Sequence, residues 1–224
     1  QTGAAWVAGV VAVLSVVGVA AGWLALVHRA LTTRERPTAV RERPGLGWFA
    51  LLPSNAFGAV AARSLVYWLR DRRYIINVVI VPVAGVLTAV PLLVAGVPIS
   101  VAAALPVAVM ALFFGWLPHN DVAYDSTAFW IHVASGVRGV PDRLGRLVPV
   151  VLIAVPTLAV AIPVTLAVIG RWSLLPVLIG VVTSLLLTGL GLSSVVSAVA
   201  PYGVSRPGDS PFQQPQRSRG GAGT

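Results

Sequence analysis

Residues 74–118, YIINVVIVPVAGVLTAVPLLVAGVPISVAAALPVAVMALFFGWLP, form a run of 45 positions without a charged side chain. One helix needs about 20 apolar residues to cross the hydrocarbon core of a bilayer, so this run is too long for one crossing and suits two. Gly96, Val97 and Pro98 lie near its middle and predict the turn between the two helices. The run therefore predicts a helical hairpin in a membrane.

Three further stretches outside this hairpin also lack charged residues. Residues 1–27 predict one more crossing, residues 147–170 another, and residues 172–205 a fifth after Arg171. The composition agrees, because 57% of the 224 residues are apolar and only 10% are charged, against about 25% charged residues in a soluble domain. We therefore predict an all-α integral membrane protein, a polytopic bundle of five transmembrane helices.

The arginines predict the orientation of these helices. Every basic residue of the chain is arginine, and all but Arg171 fall in residues 28–73, residues 119–146 or the tail after Ser205. Cytoplasmic loops near the ends of spans carry the positive excess. We therefore expect both long loops and the C-terminal tail to be cytoplasmic and the N-terminus to be external.

The uncharged runs divide the chain into six predicted segments. They are a first transmembrane helix (1–27), a cytoplasmic linker with an interfacial helix (28–73), transmembrane helices two and three (74–118), a cytoplasmic loop (119–146), transmembrane helices four and five (147–205) and a flexible cytoplasmic tail or linker (206–224). The chain begins at Gln1, and no basic segment precedes its first span, so we expect further spans upstream and interpret the chain as a fragment.

The absence of lysine and cysteine from the sequence excludes several chemistries. Without lysine the chain cannot form a P-loop ATPase site or a Schiff base. Without cysteine it has no disulfide and no thiolate nucleophile. The five predicted spans contain no Asp, Glu, Lys, Arg or His, which disfavours a proton-coupled carrier. We predict no catalytic residue, no cofactor, no metal and no nucleic-acid partner.

Residues 54–73, SNAFGAVAARSLVYWLRDRR, predict an amphipathic helix with Ser54 or Asn55 as its N-cap. Aromatic and apolar residues share one face, and Arg63 and Arg70 lie almost opposite. Such a helix is expected to lie in the membrane interface, with its arginines on lipid phosphates. The alternative is an ordinary soluble linker that ends in a positively charged segment before the next span. The predicted membrane-interface residues are Arg63, Trp68, Arg70, Arg72, Arg73, Arg143 and Arg146.

Residues 119–146, HNDVAYDSTAFWIHVASGVRGVPDRLGR, predict a short helix from Asp125 or Ser126 to a stop at Gly136. Its aromatic ridge faces the cytoplasm, where large exposed aromatics usually contact a partner. The ridge consists of Phe129, Trp130 and Val133.

The polar residues of this loop allow two interpretations. His119, Asp121, Asp125 and His132 could be metal ligands or acid–base groups. Carboxylates beside a helix start are more often caps, which is the interpretation we prefer.

The fourth predicted span contains Pro149, Pro156 and Pro163, one every seven residues. They share nearly one face and remove backbone hydrogen bonds at regular intervals, so this helix is expected to bend or unwind locally. The Ser, Thr and Gly residues of the spans, such as Gly189, Ser193 and Ser197, are expected to pack helices together.

The order of these parts resembles the permease subunits of ABC exporters of the second exporter type, most closely the large actinobacterial permeases with two such halves. The similarity extends over residues 63–205 and is carried by YWLRDRR, NDVAYDSTAFWIHV and GVPDRLGR. Asn120, Tyr124 and Asp125 match the loop's Asn and Tyr-Asp pattern, and Arg143, Gly145 and Arg146 match its basic-Gly-basic step.

The resemblance implies that residues 64–73 end an elbow helix and that residues 125–133 are a coupling helix. By that similarity the chain would be a permease subunit in the bacterial cytoplasmic membrane, without an ATPase site of its own. It would form the translocation path, with other permease segments or a second permease copy, and would contact a cytosolic ABC ATPase through Asp125, Phe129, Trp130 and Val133.

Two other functions stay open at this stage. One is a non-transporting membrane scaffold whose aromatic loop recruits a cytosolic protein. The other is a membrane-embedded enzyme that uses the His and Asp residues of the same loop. The residues do not indicate a cargo, because an apolar path with scattered Ser and Thr suits many molecules.

Overall fold

The computed structural model describes residues 2–32 and 47–204, which belong to two compact units that divide between Gly45 and Leu46. The first unit contains helix α1 (Thr2–Thr32). The side chains of this helix are described over Val13–Arg29, an apolar stretch that is by itself too short to be a membrane span. The first predicted crossing, residues 1–27, therefore stays a prediction. The predicted tail 206–224 and linker residues 33–46 lie outside the described residues.

The second unit is built from helices, and no strand occurs within residues 47–204. In chain order the helices are α2 (Ala56–Arg70), α3 (Arg72–Leu87), α4 (Ala89–Val94), α5 (Ile99–Ala102), α6 (Ala104–Trp116), α7 (Asp121–Tyr124), α8 (Phe129–Ala134), α9 (Gly139–Ile169) and α10 (Leu175–Val199). Short 3-10 turns lie at Gly47–Leu51, Leu117–Asn120, Ser126–Ala128 and Trp172–Leu174.

Four stretches of the described chain are helical, long enough and apolar enough to cross a membrane. They are Arg72–Val94, Ile99–Tyr124, Gly139–Ile169 and Trp172–Val199. They correspond to predicted spans two to five, so the all-helical class is confirmed. Spans alternate in direction, which brings the beginnings of α3 and α9 and the ends of α6 and α10 together at one end, called the polar end below.

The turn of the predicted hairpin is formed at the expected residues. Gly96 has a φ of 80°, its N–H bonds to the Leu93 carbonyl at 3.0 Å, and the N–H of Val97 bonds to the Leu92 carbonyl at 3.0 Å. This pair of bonds is the Schellman end of a helix, which needs a left-handed residue and therefore favours glycine. The same arrangement at Gly136, with a φ of 61°, ends α8 as predicted.

Helix α6 lies at the centre of the unit, against α3, α9 and α10. Phe114 and Val107 of α6 are fully buried among side chains of these three neighbours. Gly115 of α6 faces Gly189 of α10 so closely that a Cβ on Gly189 would lie 2.9 Å from the Cα of Gly115. The predicted packing role of Gly189, Ser193 and Ser197 is confirmed, because all three are buried on this side of α10.

Of the two expected effects of the prolines in α9, bending or local unwinding, unwinding does not occur, since α9 is helical from Gly139 to Ile169 through all three of them. A proline removes one hydrogen bond, but its fixed φ suits a helix, and spans tolerate it. Interruptions occur in the hairpin instead, where α3 ends at Leu87 and α5 ends at Ala102. Each end lies four residues before a proline, Pro91 or Pro106, whose missing N–H would have bonded that residue's carbonyl.

We predict that Gly189→Ala destabilises the bundle by about 1–3 kcal/mol, because the new methyl group meets backbone atoms of α6 that cannot move aside. Gly191→Ala is the matched control on the same helix, since a Cβ there meets nothing within 4 Å. It should be neutral or stabilising by up to about 1 kcal/mol. Thermal unfolding in mild detergent, followed by circular dichroism, measures both; equal effects would contradict the close α6–α10 contact.

Candidate functional site

The polar end holds a buried group of ion pairs centred on Arg146, which we call the Arg146 cluster. Arg146 is only 2% exposed and lies in the second turn of α9. Its guanidinium bonds Asp125 through Nη2, approaches Asp142 through Nε at 3.1 Å and approaches Asp121 through Nη1 at 3.4 Å. The members of the cluster are Arg63, Asp121, Asp125, Asp142, Arg143 and Arg146.

Helix α2 joins the cluster through Arg63. The Nη2 of Arg63 lies 2.8 Å from both carboxylate oxygens of Asp125, so that Asp125 is shared by arginines from α2 and α9. Arg143 pairs with Asp142. Three carboxylates thus face three guanidinium groups, and this balance offsets the cost of removing the charges from water.

Helix α3 reaches the cluster through Tyr74. The phenol of Tyr74 donates a hydrogen bond of 2.5 Å to Asp121, and its ring packs against the rings of Trp68 and Tyr124. Arg73 lies over the Tyr124 ring at 4.8 Å. The beginning of α3 is therefore fixed to the same loop as α2 and α9.

Asp71 fixes the start of α3 from the preceding residue. Its carboxylate accepts the backbone N–H of Arg73 at 2.9 Å and also pairs with the Arg73 side chain. Burial raises the pKa of Asp71, but the hydrogen bonds and charge of Arg73 outweigh it and leave the pKa below its ordinary value. A charged aspartate at a helix N-terminus stabilises the helix.

The chain just after α10 is fixed by the side-chain amide of Asn120, which makes two hydrogen bonds to the backbone of Tyr202. Asn120 donates to the Tyr202 carbonyl at 2.9 Å and accepts the Tyr202 N–H at 3.0 Å. The hydroxyl of Ser197 accepts the Val122 N–H at 3.0 Å. Residues 119–125 are consequently bonded to α3, α9 and the C-terminal end of α10 at once.

The interpretation of the loop aspartates as helix caps is wrong. Asp125 makes no capping hydrogen bond to the turn that follows it, and its side chain is 1% exposed between two arginines. Asp121 is engaged by Tyr74 and Arg146. The arginine that completes the cluster is Arg63, which is 62 positions from Asp125, whereas Arg138 of the loop itself is exposed.

Three of the seven predicted membrane-interface residues lie inside the protein. Arg73, Trp68 and Arg146 are 6%, 3% and 2% exposed, and Arg63 reaches across to Asp125. The reason is that α2 packs on α9, where a Cβ on Gly145 would lie 2.8 Å from Val60. Arg70 and Arg72 are exposed and Arg143 is partly so. The N-cap was predicted correctly, because Asn55 accepts the Gly58 N–H at 3.0 Å.

The aromatic ridge is exposed on α8 as the sequence predicts. Phe129, Trp130 and Val133 are 40%, 65% and 69% exposed, and Ile131 adds a fourth apolar side chain at 51%. Sequence reasoning missed Ile131, which directly follows Phe129 and Trp130 on a six-residue helix and is exposed, whereas the next residue, His132, lies on the inner side against Asp142. Asp125 is no part of this surface, because its side chain is 1% exposed between Arg63 and Arg146.

Both histidines of the loop have structural contacts. His119 bonds the Trp116 carbonyl at 2.9 Å and the Tyr202 hydroxyl at 2.7 Å. His132 places Nδ1 2.8 Å from Asp142, without the alignment of a hydrogen bond, and stacks on Phe129. Among the residues that the structure describes, no three His, Cys, Asp or Glu side chains are grouped to hold a metal. The aspartates instead pair with arginines, and these ion pairs connect the loop to α2 and α9.

No protein-family model matches this chain, and no curated protein or solved structure matches it either. The geometry of the polar end is therefore the basis for the assignment of function below.

We predict that Arg146→Gln lowers the free energy of unfolding by about 3–5 kcal/mol, because it leaves three buried carboxylates without their shared partner. Arg138→Gln, a change of the same type at an exposed position, should alter it by no more than about 0.5 kcal/mol. Thermal unfolding of both variants checks this. Adding Asp125→Asn to Arg146→Gln should recover part of the loss; a simple sum of the two losses would contradict the pairing.

We also predict that acidification destabilises the polar end through His132. Burial lowers the pKa of His132 below its ordinary value of 6.5, and the charges of Arg63 and Arg146 lower it further against the opposing Asp142 and Asp125. The unfolded chain therefore takes up this proton first, and stability falls as the pH drops below the unfolded value.

Unfolding measured between about pH 7.5 and 5.5 should show a steeper loss for the wild type than for His132→Asn. The two proteins should differ least in pH sensitivity at the upper end of this range. Parallel curves throughout would show that the environment of His132 does not disfavour its protonated form.

Proposed function

We propose that this chain is a membrane-spanning permease subunit of an ATP-driven exporter, coupled to a separate ATPase through α8. The observation that carries the proposal is an exposed apolar ridge on a short helix, with the ion pairs of Asp125 before it and the contact of His132 with Asp142 within it connecting it to the bundle. A coupling element needs such a surface for a partner and a stiff connection to the spans behind it.

The connection runs through the ion pairs of Asp125 before α8 and through a contact of His132 within it. Before α8, Asp125 is held by Arg63 of α2 and Arg146 of α9. Within α8, His132 approaches Asp142 in the first turn of α9. A displacement of the ridge would thus be passed to α2 and α9 together, since bending the loop alone would separate buried charges.

Four apolar helices of membrane length support placement in a bilayer. In this proposal α2 is an elbow helix at the membrane surface, with exposed Arg70 and Arg72 near lipid headgroups. Helix α1 is a further span, and the polar end is cytoplasmic, as the arginine distribution favours. The resemblance to actinobacterial permeases favours the bacterial cytoplasmic membrane.

The proposed partner is a cytosolic ABC ATPase subunit, and other permease segments or a second copy of the permease would complete the path. Trp is among the residue types that dominate the binding energy of protein interfaces, and Phe is enriched at them. The same ridge would also serve a scaffold that recruits a cytosolic protein without transport, and ATP hydrolysis distinguishes the two.

We predict that Phe129→Ala and Trp130→Ala together weaken binding of the cytosolic partner by about 2 kcal/mol or more, which is about thirtyfold in Kd. The bundle should keep its stability, because both side chains are exposed. Trp172→Ala is the matched control, an exposed tryptophan at the opposite end of α9. It should leave partner binding unchanged.

The measurement is co-purification of the complete protein from its native membrane, followed by an ATP hydrolysis assay. A co-purifying ATPase that is lost with the ridge variant but kept with Trp172→Ala supports the permease. A ridge-dependent partner without ATPase activity supports the scaffold. An ATPase that binds equally well to the ridge variant would show that α8 is not the coupling element.

A further inference from the structure

A second candidate site lies far from the polar end, between the hairpin and α9. It is a cleft of about 240 Å³ bordered by α3–α6 on one side and by the last turns of α9 on the other. Within the described part of the chain, Thr165 is the one polar residue that lines it. For comparison, an engineered apolar cavity of about 150 Å³ binds benzene.

The depth of the cleft places it within the hydrocarbon core of a bilayer. Val86 lies 14 residues beyond Arg72, and Ala161 lies 15 residues beyond Arg146. At 1.5 Å per residue both lie about 20 Å from the polar end, and Met110, ten residues before Asn120, lies about 15 Å from it. The hydrocarbon core is about 30 Å thick. The cleft therefore faces the chains of the lipid leaflet at the opposite end of the bundle.

The side chains that line the cleft are exposed at its rim and buried at its floor. Val86 and Val164 at its rim are each 57% exposed, whereas Met110 at its floor is 6% exposed and Val107 is fully buried. A ligand can thus enter sideways from the region around the spans. Since that region is hydrocarbon in a membrane, neither water nor a polar solute reaches the cleft by this route.

The floor and one wall of the cleft can adapt to an occupant. Met110 packs against Gly85, where a Cβ would lie 2.5 Å from its Cγ, and methionine changes rotamer easily. The wall formed by the hairpin is interrupted at Thr88 and Ala103, beside the cleft. An unfilled space of this size would leave its lining without packing partners.

We propose that this cleft binds an acyl chain of a membrane lipid. A hydrocarbon chain fits an apolar lining, reaches the required depth from its own headgroup and enters through the open rim. A charged or strongly polar ligand would lose its hydration there for a single hydroxyl partner. The proposal rests on the membrane placement given under the proposed function and is independent of the ATPase partner.

The sequence supplies a specific probe, because Met110 is the one methionine among the 224 residues. The full chain is deuterated except for a ¹³C-methyl label on methionine and is placed in phosphatidylcholine nanodiscs. A Met110→Leu variant assigns the methyl resonance. We expect a nuclear Overhauser effect from this methyl to acyl-chain methylene protons, and its loss when the lipid chains are deuterated.

Ala161→Leu fills the cleft from α9 and should abolish the effect, because the new side chain takes the place of the lipid. Ala159→Leu is the matched control on the exposed surface of the same helix and should preserve it. An incorporated, helical wild-type chain without the effect, or an effect unchanged in Ala161→Leu, overturns this proposal alone. A chain that fails to enter nanodiscs overturns the membrane placement as well.

Discussion

The arrangement of the polar end depends on the burial of one guanidinium group. Arg146 leaves water only because Asp121, Asp125 and Asp142 converge on it, and each buried ion without a partner would cost several kcal/mol. Two of these aspartates belong to the loop before α8 and the third to α9 itself. The loop, α8 and the start of α9 therefore have to assemble together with α2, which supplies Arg63 to Asp125.

Around this charged centre, uncharged contacts fix the remaining helices to the same few residues. Tyr74 brings α3 to Asp121, and Asn120 and Ser197 bring the end of α10 to the loop. Above it, toward the opposite end, packing is almost wholly apolar. The unit thus combines a polar end with specific, directional bonds and an apolar bundle in which close contact between helices provides the specificity.

Hydrophobic runs, turns and caps could be predicted from the sequence because they are local. The hairpin turn at Gly96, the end of α8 at Gly136 and the N-cap at Asn55 follow from residues only a few positions apart. The Arg146 cluster could not, because its pairs join residues up to 62 positions apart. A helical wheel placed Arg63 on an outer face, but it does not show which neighbouring helix brings a carboxylate within reach of a long side chain.

The contact of Gly115 with Gly189 has a consequence for motion. Where two backbones touch without intervening side chains, the helices have no rotamers to adjust and little room to slide or roll. Helices α6 and α10 should therefore move as one rigid body. In a permease built on this bundle, the seam that opens to admit a cargo would lie along α3 or α9, and the α6–α10 pair would act as the stationary side of the gate.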